Sequence, residues 1–292
     1  MIDTSSICAI IVTYNIGKDI HRCFNSIKNQ VNEIVIVDNG SSNETINELQ
    51  NLEKINNVKI VYNSQNKGIA YALNQGVQYA ISKSYEWVLT LDHDSEATSD
   101  MIDNMLKAYK SLPEDIKSKV MIVTPSYIER ALSDGLPIRT DSQPLIRDID
   151  SEKSSGSLIK FQLFNNIGLY KESLFIDYVD HEFCLRTRKQ GYRIISVSNA
   201  NLLHSSGSLK KGNFFGKKFV YSNYPPIRRY YITRNRILVW KRYFHYFQGW
   251  VMRDMVMSIK DMGKIIFYEQ EKLTKIGMIW KGILDSCSTD IL

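Results

Sequence analysis

An α/β fold with a mixed, mostly parallel sheet flanked by helices is predicted by three observations. Short β-branched runs alternate with helical patterns over about the first 100 residues, a polar cluster follows each of those runs, and the chain turns helical, aromatic and basic from about Pro226. Ile7 to Thr13 reads as the first strand, followed by a helix from about Lys18 to Asn29. Glu33 to Asp38 is the second strand, and Ser41 or Ser42 with Glu44 in the first turn opens the second helix. Val58 to Asn63, Ile69 to Ser82 and Trp87 to Asp92 supply a third strand, a third helix and a fourth strand. Met101 to Lys110 reads as a helix and Val120 to Pro125 as a fifth strand.

The later part is less regular. Glu129 to Ser155, rich in Ser, Asp, Pro and Gly, reads as a long surface loop, a feature that in compact domains tends to be functional. A helix is expected over Phe183 to Gln190, stopped by Gly191, then a strand from Arg193 to Val197. A flexible stretch is expected after His204, and no internal repeat is visible.

The chain of 292 residues, 43% hydrophobic and 23% charged, can bury a sizeable core. No stretch approaches the roughly 18 uninterrupted apolar residues of a spanning helix, and the short apolar run Cys8 to Val12 has no basic leader, so no secretory signal is expected. Four scattered cysteines lack the spacing of a zinc or redox motif, which fits a reduced, cytoplasmic protein. The net charge of +6 is unevenly spread. From Gly207 onward 16 Lys and Arg meet 6 Asp and Glu, a surplus of ten, whereas the preceding residues hold 21 against 25. Such a tail is expected to meet something anionic: a phosphate-bearing substrate, an acidic membrane surface or nucleic acid.

Ligands of open α/β sheets sit outside the carboxyl ends of the strands. Here those ends read Thr13-Tyr14-Asn15, Asp38-Asn39-Gly40-Ser41, Asn66-Lys67-Gly68 and Asp92-His93-Asp94. Singly, each has an ordinary explanation; Asp-Asn-Gly-Ser, for instance, is a turn followed by a helix cap. Four in succession on one sheet edge point to a site. Two carboxylates one residue apart, Asp92 and Asp94, suit a hard divalent cation such as Mg²⁺ or Mn²⁺. Alternation turns His93 away from them.

These motifs, in this order and spacing, resemble family 2 glycosyltransferases of the rhamnosyltransferase type. Asn74-Gln75-Gly76, Ser155-Gly156-Ser157, Ile167-Gly168, the run Phe175 to Arg186, Gly191-Tyr192, His204-Ser205-Ser206-Gly207, and Arg229-Tyr230-Tyr231 with Arg234-Asn235 extend the likeness over roughly residues 6 to 240. The resemblance implies a GT-A-like domain over 1–225, with a donor half at about 1–100 and acceptor-side elements at about 151–225, followed by a helical basic extension over 226–292. It implies that Thr13, Tyr14, Asn15 and Asp38 hold the base and ribose, with Asn66 and Gly68 on the same sugar-nucleotide edge. Asp94 becomes the metal ligand, Asp92 lies nearer the ribose or sugar, and His204 completes the metal or diphosphate site. The implied donor is dTDP-L-rhamnose and the implied acceptor a glycan or a lipid-diphosphate-linked glycan.

Direct displacement at an anomeric carbon needs a carboxylate that takes the proton of the attacking hydroxyl. Asp177, Asp180 and Glu182 are the candidates. Relatives commonly show a Glu-Asp pair here; Val179 replaces its first member and Asp180 holds the second position. Glu182 is the reserve, orienting the acceptor, with Arg186 one turn later bracing it. In the basic tail, arginines such as Arg229 and Arg234 are of the type that forks onto phosphate oxygens. The tail also suits peripheral attachment to the inner face of an acidic membrane.

Two other classes compete. A sugar-phosphate nucleotidyltransferase needs a Gly-rich, Arg-containing loop after the first strand, where Thr13 to Lys18 has one glycine. A nucleic-acid-binding protein using the basic tail lacks a recognisable motif, and its acidic clusters would repel a polyanion. No nucleic-acid partner is expected.

Overall fold

The computed structural model describes residues 6–129, 145–204, 209–214 and 217–290. Its centre is a sheet that, among the described residues, has nine strands. β1 (Ile7–Thr13), β2 (Glu33–Asp38), β3 (Val58–Tyr62) and β4 (Trp87–Asp92) run parallel in the order β3-β2-β1-β4. The second half is mixed: β8 (Ser157–Lys160) lies antiparallel between β4 and β6 (Val120–Glu129), while β6 runs parallel to β9 (Arg193–His204). Short β5 (Glu96–Ala97) and β7 (Ile146–Asp148) both pair antiparallel with β9. The sheet is thus parallel in its N-terminal half and mixed beyond it.

Every residue of β1 is buried because both faces of the sheet are covered. Ile7, Ala9 and Ile11 pack with α1 (Ile20–Ile27), α2 (Asn43–Leu52) and α4 (Met101–Lys110); Cys8, Ile10 and Val12 pack with α3 (Ile69–Ser82), α6 (Phe161–Ile167) and α7 (Val179–Lys189). At Gly76 of α3 an added Cβ would lie 2.4 Å from Ile10 Cγ2, so glycine is what lets the helix settle on the sheet.

β1, β2, α3, β4 and α4 fall where the sequence predicts them. Other elements differ. β6 and β9 run on to Glu129 and His204 because their second halves pair with each other across a register shift, and β9 also pairs with β5. β7 lies inside the segment read as a loop, whose residues 130–144 fall outside the described ones. β8 and α6 carried no sequence signal. α7 begins four residues earlier than expected, at Val179. The stretch read as flexible after His204 contains an antiparallel hairpin, β10 (Leu209–Phe214) and β11 (Lys217–Ser222), with residues 205–208 outside the described ones.

The C-terminal part is helical, as expected: α8 (Pro226–Tyr243), opened by proline at its first position, α9 (Gln248–Tyr268) and α10 (Lys272–Ser288). Leu238, Val239 and Tyr243 of α8 enter the core on the α3 face, so this helix is built into the body of the molecule. No described helix is long and apolar enough to cross a membrane.

Candidate active site

Parallel register brings the predicted polar ends together. Thr13 pairs with Asp38, and Val12 with Asp92, so the ends of β1, β2 and β4 lie side by side on one edge. Asp38 is wholly buried, and its Oδ2 accepts the N–H groups of Gly40 (3.1 Å) and Ser41 (3.0 Å). That is the turn its sequence announces. Its Oδ1 has no hydrogen-bond partner, and neither does Thr13 Oγ1 beside it. Buried polar atoms are almost always satisfied, so two orphans on adjacent strand ends mark a place where a ligand completes the structure.

Neighbouring residues hold the loops. Asn15, at φ 52°, donates its N–H to Ser41 Oγ and accepts the Ser42 N–H through Oδ1. Asn66 Oδ1 accepts the Gly68 N–H and the Asn39 amide, at 2.9 and 3.0 Å. Gly68 has φ +89°, and an added Cβ would sit 2.6 Å from the Phe175 carbonyl oxygen. That same carbonyl accepts the Ile69 N–H at 2.7 Å, joining the β3–α3 loop to the loop before α7. Asn15, Asn66 and Gly68 therefore use their polar groups to shape the rim, whereas Tyr14 stands exposed at its mouth.

Asp92, Asp94 and His204 each offer a ligand atom, and these atoms lie within 4.8 Å of one another. Asp94 Oδ1 is buried without a hydrogen-bond partner, with His204 Nδ1 3.9 Å away. An orphaned carboxylate oxygen beside a second carboxylate and an imidazole is a donor set that fits a hard divalent ion. The β8 segment holds the group in place: Ser155 Oγ accepts the Asp92 N–H (3.0 Å) and meets Ser95 Oγ (2.7 Å), which in turn contacts His204 Nδ1 (3.2 Å). His93 turns to β1, where burial lowers its pKa and its Nδ1 accepts the Tyr14 N–H.

Burial, and then the charges of Asp94 and Asp180, push Asp92 up to about 7; Lys153 and Arg228 pull it back. Asp180, at the start of α7, and these two cations thus act on Asp92 through their charge. Asp180 Oδ1 accepts the neighbouring His181 N–H at 2.8 Å. The loop that presents Asp180 is unusual: Phe175, Asp177 and Tyr178 all have positive φ, a backbone that persists only when its surroundings enforce it. Asn235, fully buried on α8, does so by reaching the carbonyls of Leu174, Ile176 and Asp177 at 2.7 to 2.9 Å.

Three expected residues are placed elsewhere. Glu182 is fully buried, and its carboxylate accepts Arg186 Nε and Nη2 and the Tyr243 hydroxyl, at 2.8 to 3.3 Å. It is a satisfied structural ion pair, braced by Arg186 as expected, with no access to an acceptor. Arg229 turns into the protein, to Glu269 and the Ser222 carbonyl. Arg234 donates to the Ser173 carbonyl and Asn235 Oδ1 and lies over Tyr230 and Tyr231, supporting the strained loop. The arginine that faces the acids is Arg228, forked onto Asp177 (both contacts 3.0 Å) and stacked on Tyr224 at 4.0 Å. Lys153, whose charge also acts on Asp92, is not named by the sequence, and Arg228 enters there only as one of the run of tail arginines.

Comparison with known proteins agrees with this geometry. Residues 8–146 match the family model described as glycosyl transferase family 2. The chain is a glycosyltransferase with a GT-A-like fold. It is 28% identical to the dTDP-rhamnosyl transferase RfbF of Shigella flexneri, over 92% of this chain and 91% of that protein. It is 25% identical to the low-salt glycan biosynthesis hexosyltransferase Agl10 of Haloferax volcanii, over 70% of this chain and 68% of that one. Among solved structures it superposes on the mannosyltransferase PcManGT of Pyrobaculum calidifontis, in complex with GDP-Man and Mn²⁺, with a TM-score of 0.61 and 14% identity over 98% of this chain and 76% of that one. GalNAc-T7 with UDP, GalNAc and Mn²⁺ gives 0.62 and 16% identity over 84% of this chain. The chain spans about half, 49%, of GalNAc-T7.

Proposed function

We propose that the protein transfers L-rhamnose from dTDP-L-rhamnose, with inversion, to a hydroxyl of a cell-surface polysaccharide or a lipid-linked oligosaccharide. The observation that carries this reading is the set of buried, unpartnered Thr13 Oγ1, Asp38 Oδ1 and Asp94 Oδ1 on one sheet edge. Thr13 and Asp38 would take the base and ribose, with the exposed Tyr14 ring beside them. Asp92 would lie by the ribose or the sugar. Asp94 and His204 would hold a divalent cation, Mg²⁺ or Mn²⁺, which when bound offsets charge on the diphosphate. Arg228, with Lys153, supplies fixed positive charge on the same side.

In the reaction, Asp180 takes the proton from the acceptor hydroxyl, and that oxygen attacks the anomeric carbon. The bond from that carbon to the diphosphate breaks opposite the attack, and the electron pair leaves with dTDP. One displacement inverts the anomeric centre. The donor assignment is supported by the likeness to RfbF across nearly the whole chain. The enzyme would work on the cytoplasmic side of the membrane, touching an acidic leaflet through its basic C-terminal part.

A panel of dTDP-, UDP- and GDP-sugars with Mg²⁺ or Mn²⁺, scored for slow hydrolysis and heat protection, tests the reading. dTDP-L-rhamnose is expected to lead. Preference for another sugar nucleotide would replace the donor, and inertness toward all of them would remove the site assignment.

A further inference from the structure

Helix α10 is inside out. Its inward face carries Lys275, Gly282 and Ser286 beside Ile279, all buried. An added Cβ at Gly282 would meet the Tyr230 carbonyl oxygen of α8 at 2.8 Å. Its outward face is apolar: Leu273 is 86% exposed and Trp280 61%, with Leu284 one turn on. Helix α9 presents a second such face. It buries Val251 and Ile265, while Val256, Ile259 and Phe267 stay outside, the last two at 72% and 71% exposure. A water-facing helix normally shows the opposite arrangement.

Charge sorts the same way. Several acids here are drawn inward: Asp254 takes the Tyr178 hydroxyl and the Trp240 ring N–H, Glu269 takes Arg229 and Lys275, and Asp285 takes the Tyr230 hydroxyl, while Glu271 stays exposed beside Lys272. Lys260, Lys272 and Lys281 stand exposed among the outer apolar residues. The result is a surface that is apolar and basic at once. A soluble protein partner would be met by an apolar patch with a mixed polar rim; bulky apolar side chains interleaved with lysines match acyl chains below and anionic headgroups above.

We infer that the outer faces of α9 and α10 lie on an anionic lipid leaflet, with Ile259, Phe267, Leu273 and Trp280 entering the acyl boundary and the lysines meeting headgroup phosphates. This rests on the membrane attachment proposed above and names its surface. The α8 arginines that first suggested a basic tail are not that surface, because Arg228 turns to Asp177 at the candidate site, and Arg229 and Arg236 are paired inside the protein.

Co-sedimentation of the full chain with phosphatidylglycerol–phosphatidylcholine vesicles, against phosphatidylcholine alone, tests it. Wild type is expected to bind the anionic vesicles in low salt, and Phe267→Glu with Leu273→Glu to lose about tenfold or more in partitioning. Lys260→Glu with Lys272→Glu should lose the preference for anionic lipid, and both variants should keep the wild-type melting temperature. Undiminished vesicle binding by the Phe267→Glu, Leu273→Glu variant would overturn the surface while leaving the attachment itself in place. Failure of wild type to bind would overturn both. A lipid-indifferent wild type that self-associates, and that becomes monomeric with Phe267→Glu, would make the face an interface between copies.

Discussion

The parallel edge of the sheet and the C-terminal helices handle polar groups in opposite ways. At the strand ends, Thr13 Oγ1, Asp38 Oδ1 and Asp94 Oδ1 are buried and left without hydrogen bonds. Around α8, buried charge is closed into local networks: Glu182 with Arg186 and Tyr243, Arg236 with Asp254, Glu269 with Arg229 and Lys275. Arg229 Nε is the one atom there that shares the strand-end condition. Both regions hold conspicuous charged residues, and composition alone would rank the arginine-rich helix higher. The difference lies in what remains unsatisfied: a buried group without a hydrogen bond is available to a ligand, whereas a fully buried and paired one such as Glu182 is engaged in the fold.

That contrast can be broken by substitution. Asp180→Asn should lower transfer by about a thousandfold or more, within the range a general base contributes, with binding of dTDP by calorimetry near wild type. Near-normal turnover would take Asp180 out of the mechanism. Asp94→Ala is expected to lose about a hundredfold in kcat/KM and to weaken Mn²⁺ binding with it; normal metal affinity would move the ion elsewhere. Arg228→Ala should cost about tenfold to a hundredfold in kcat/KM for the donor, the scale of one charge-assisted hydrogen bond.

Glu182→Gln lies on the other side of the comparison. Opening a buried ion pair costs about 3 kcal/mol or more, so melting should fall by roughly 10 °C, while kcat of the folded fraction stays within about twofold of wild type. A large loss of kcat at unchanged stability would return Glu182 to the site.

The smallest effect concerns pH. Asp92 stands at about 7 in the fold against 3.8 for an ordinary aspartate, through burial and then the charges of Asp94 and Asp180. Between those values the folded protein holds a proton that the unfolded chain has released. The stability this proton contributes to the metal-free protein is complete below pH 3.8 and is lost as pH rises through about 7. A cation held at Asp94 would favour the ionised form of Asp92 beside it, so metal affinity should climb over the same window. Calorimetry in buffers of different ionisation enthalpy would register the released proton, and a flat affinity from acid to neutral pH would contradict the shift.

Much of this was legible in the residues. β1, β2 and β4 announce themselves as apolar runs ending in turn chemistry, and their parallel register brings the ends carrying Asp38 and Asp92 to one edge of the sheet, on either side of β1. β8, four residues long, carries too little periodicity to be seen, although its approach supplies Ser155, which fixes the Asp92 backbone. His204 is pointed to by resemblance alone; its contact with Ser95, 109 positions away in the chain, is set by strand pairing and has no local signature. The arginines were the hardest. Arg228 and Arg229 are adjacent on a helix that rotates about 100° per residue, so one faces Asp177 and the other Glu269. Only packing decides which of the two reaches the acids. The burial of Glu182 is hidden for the same reason: a carboxylate in a first helical turn looks alike whether the turn opens on a cleft or on a core.

The most direct measurement is heat protection by dTDP-L-rhamnose with Mn²⁺ on wild type, Asp94→Ala and Glu182→Gln. Orphaned strand-end groups that form the donor site predict a raised melting temperature for wild type and Glu182→Gln, and little or none for Asp94→Ala. Equal protection of Asp94→Ala, or loss of protection in Glu182→Gln, would contradict that assignment.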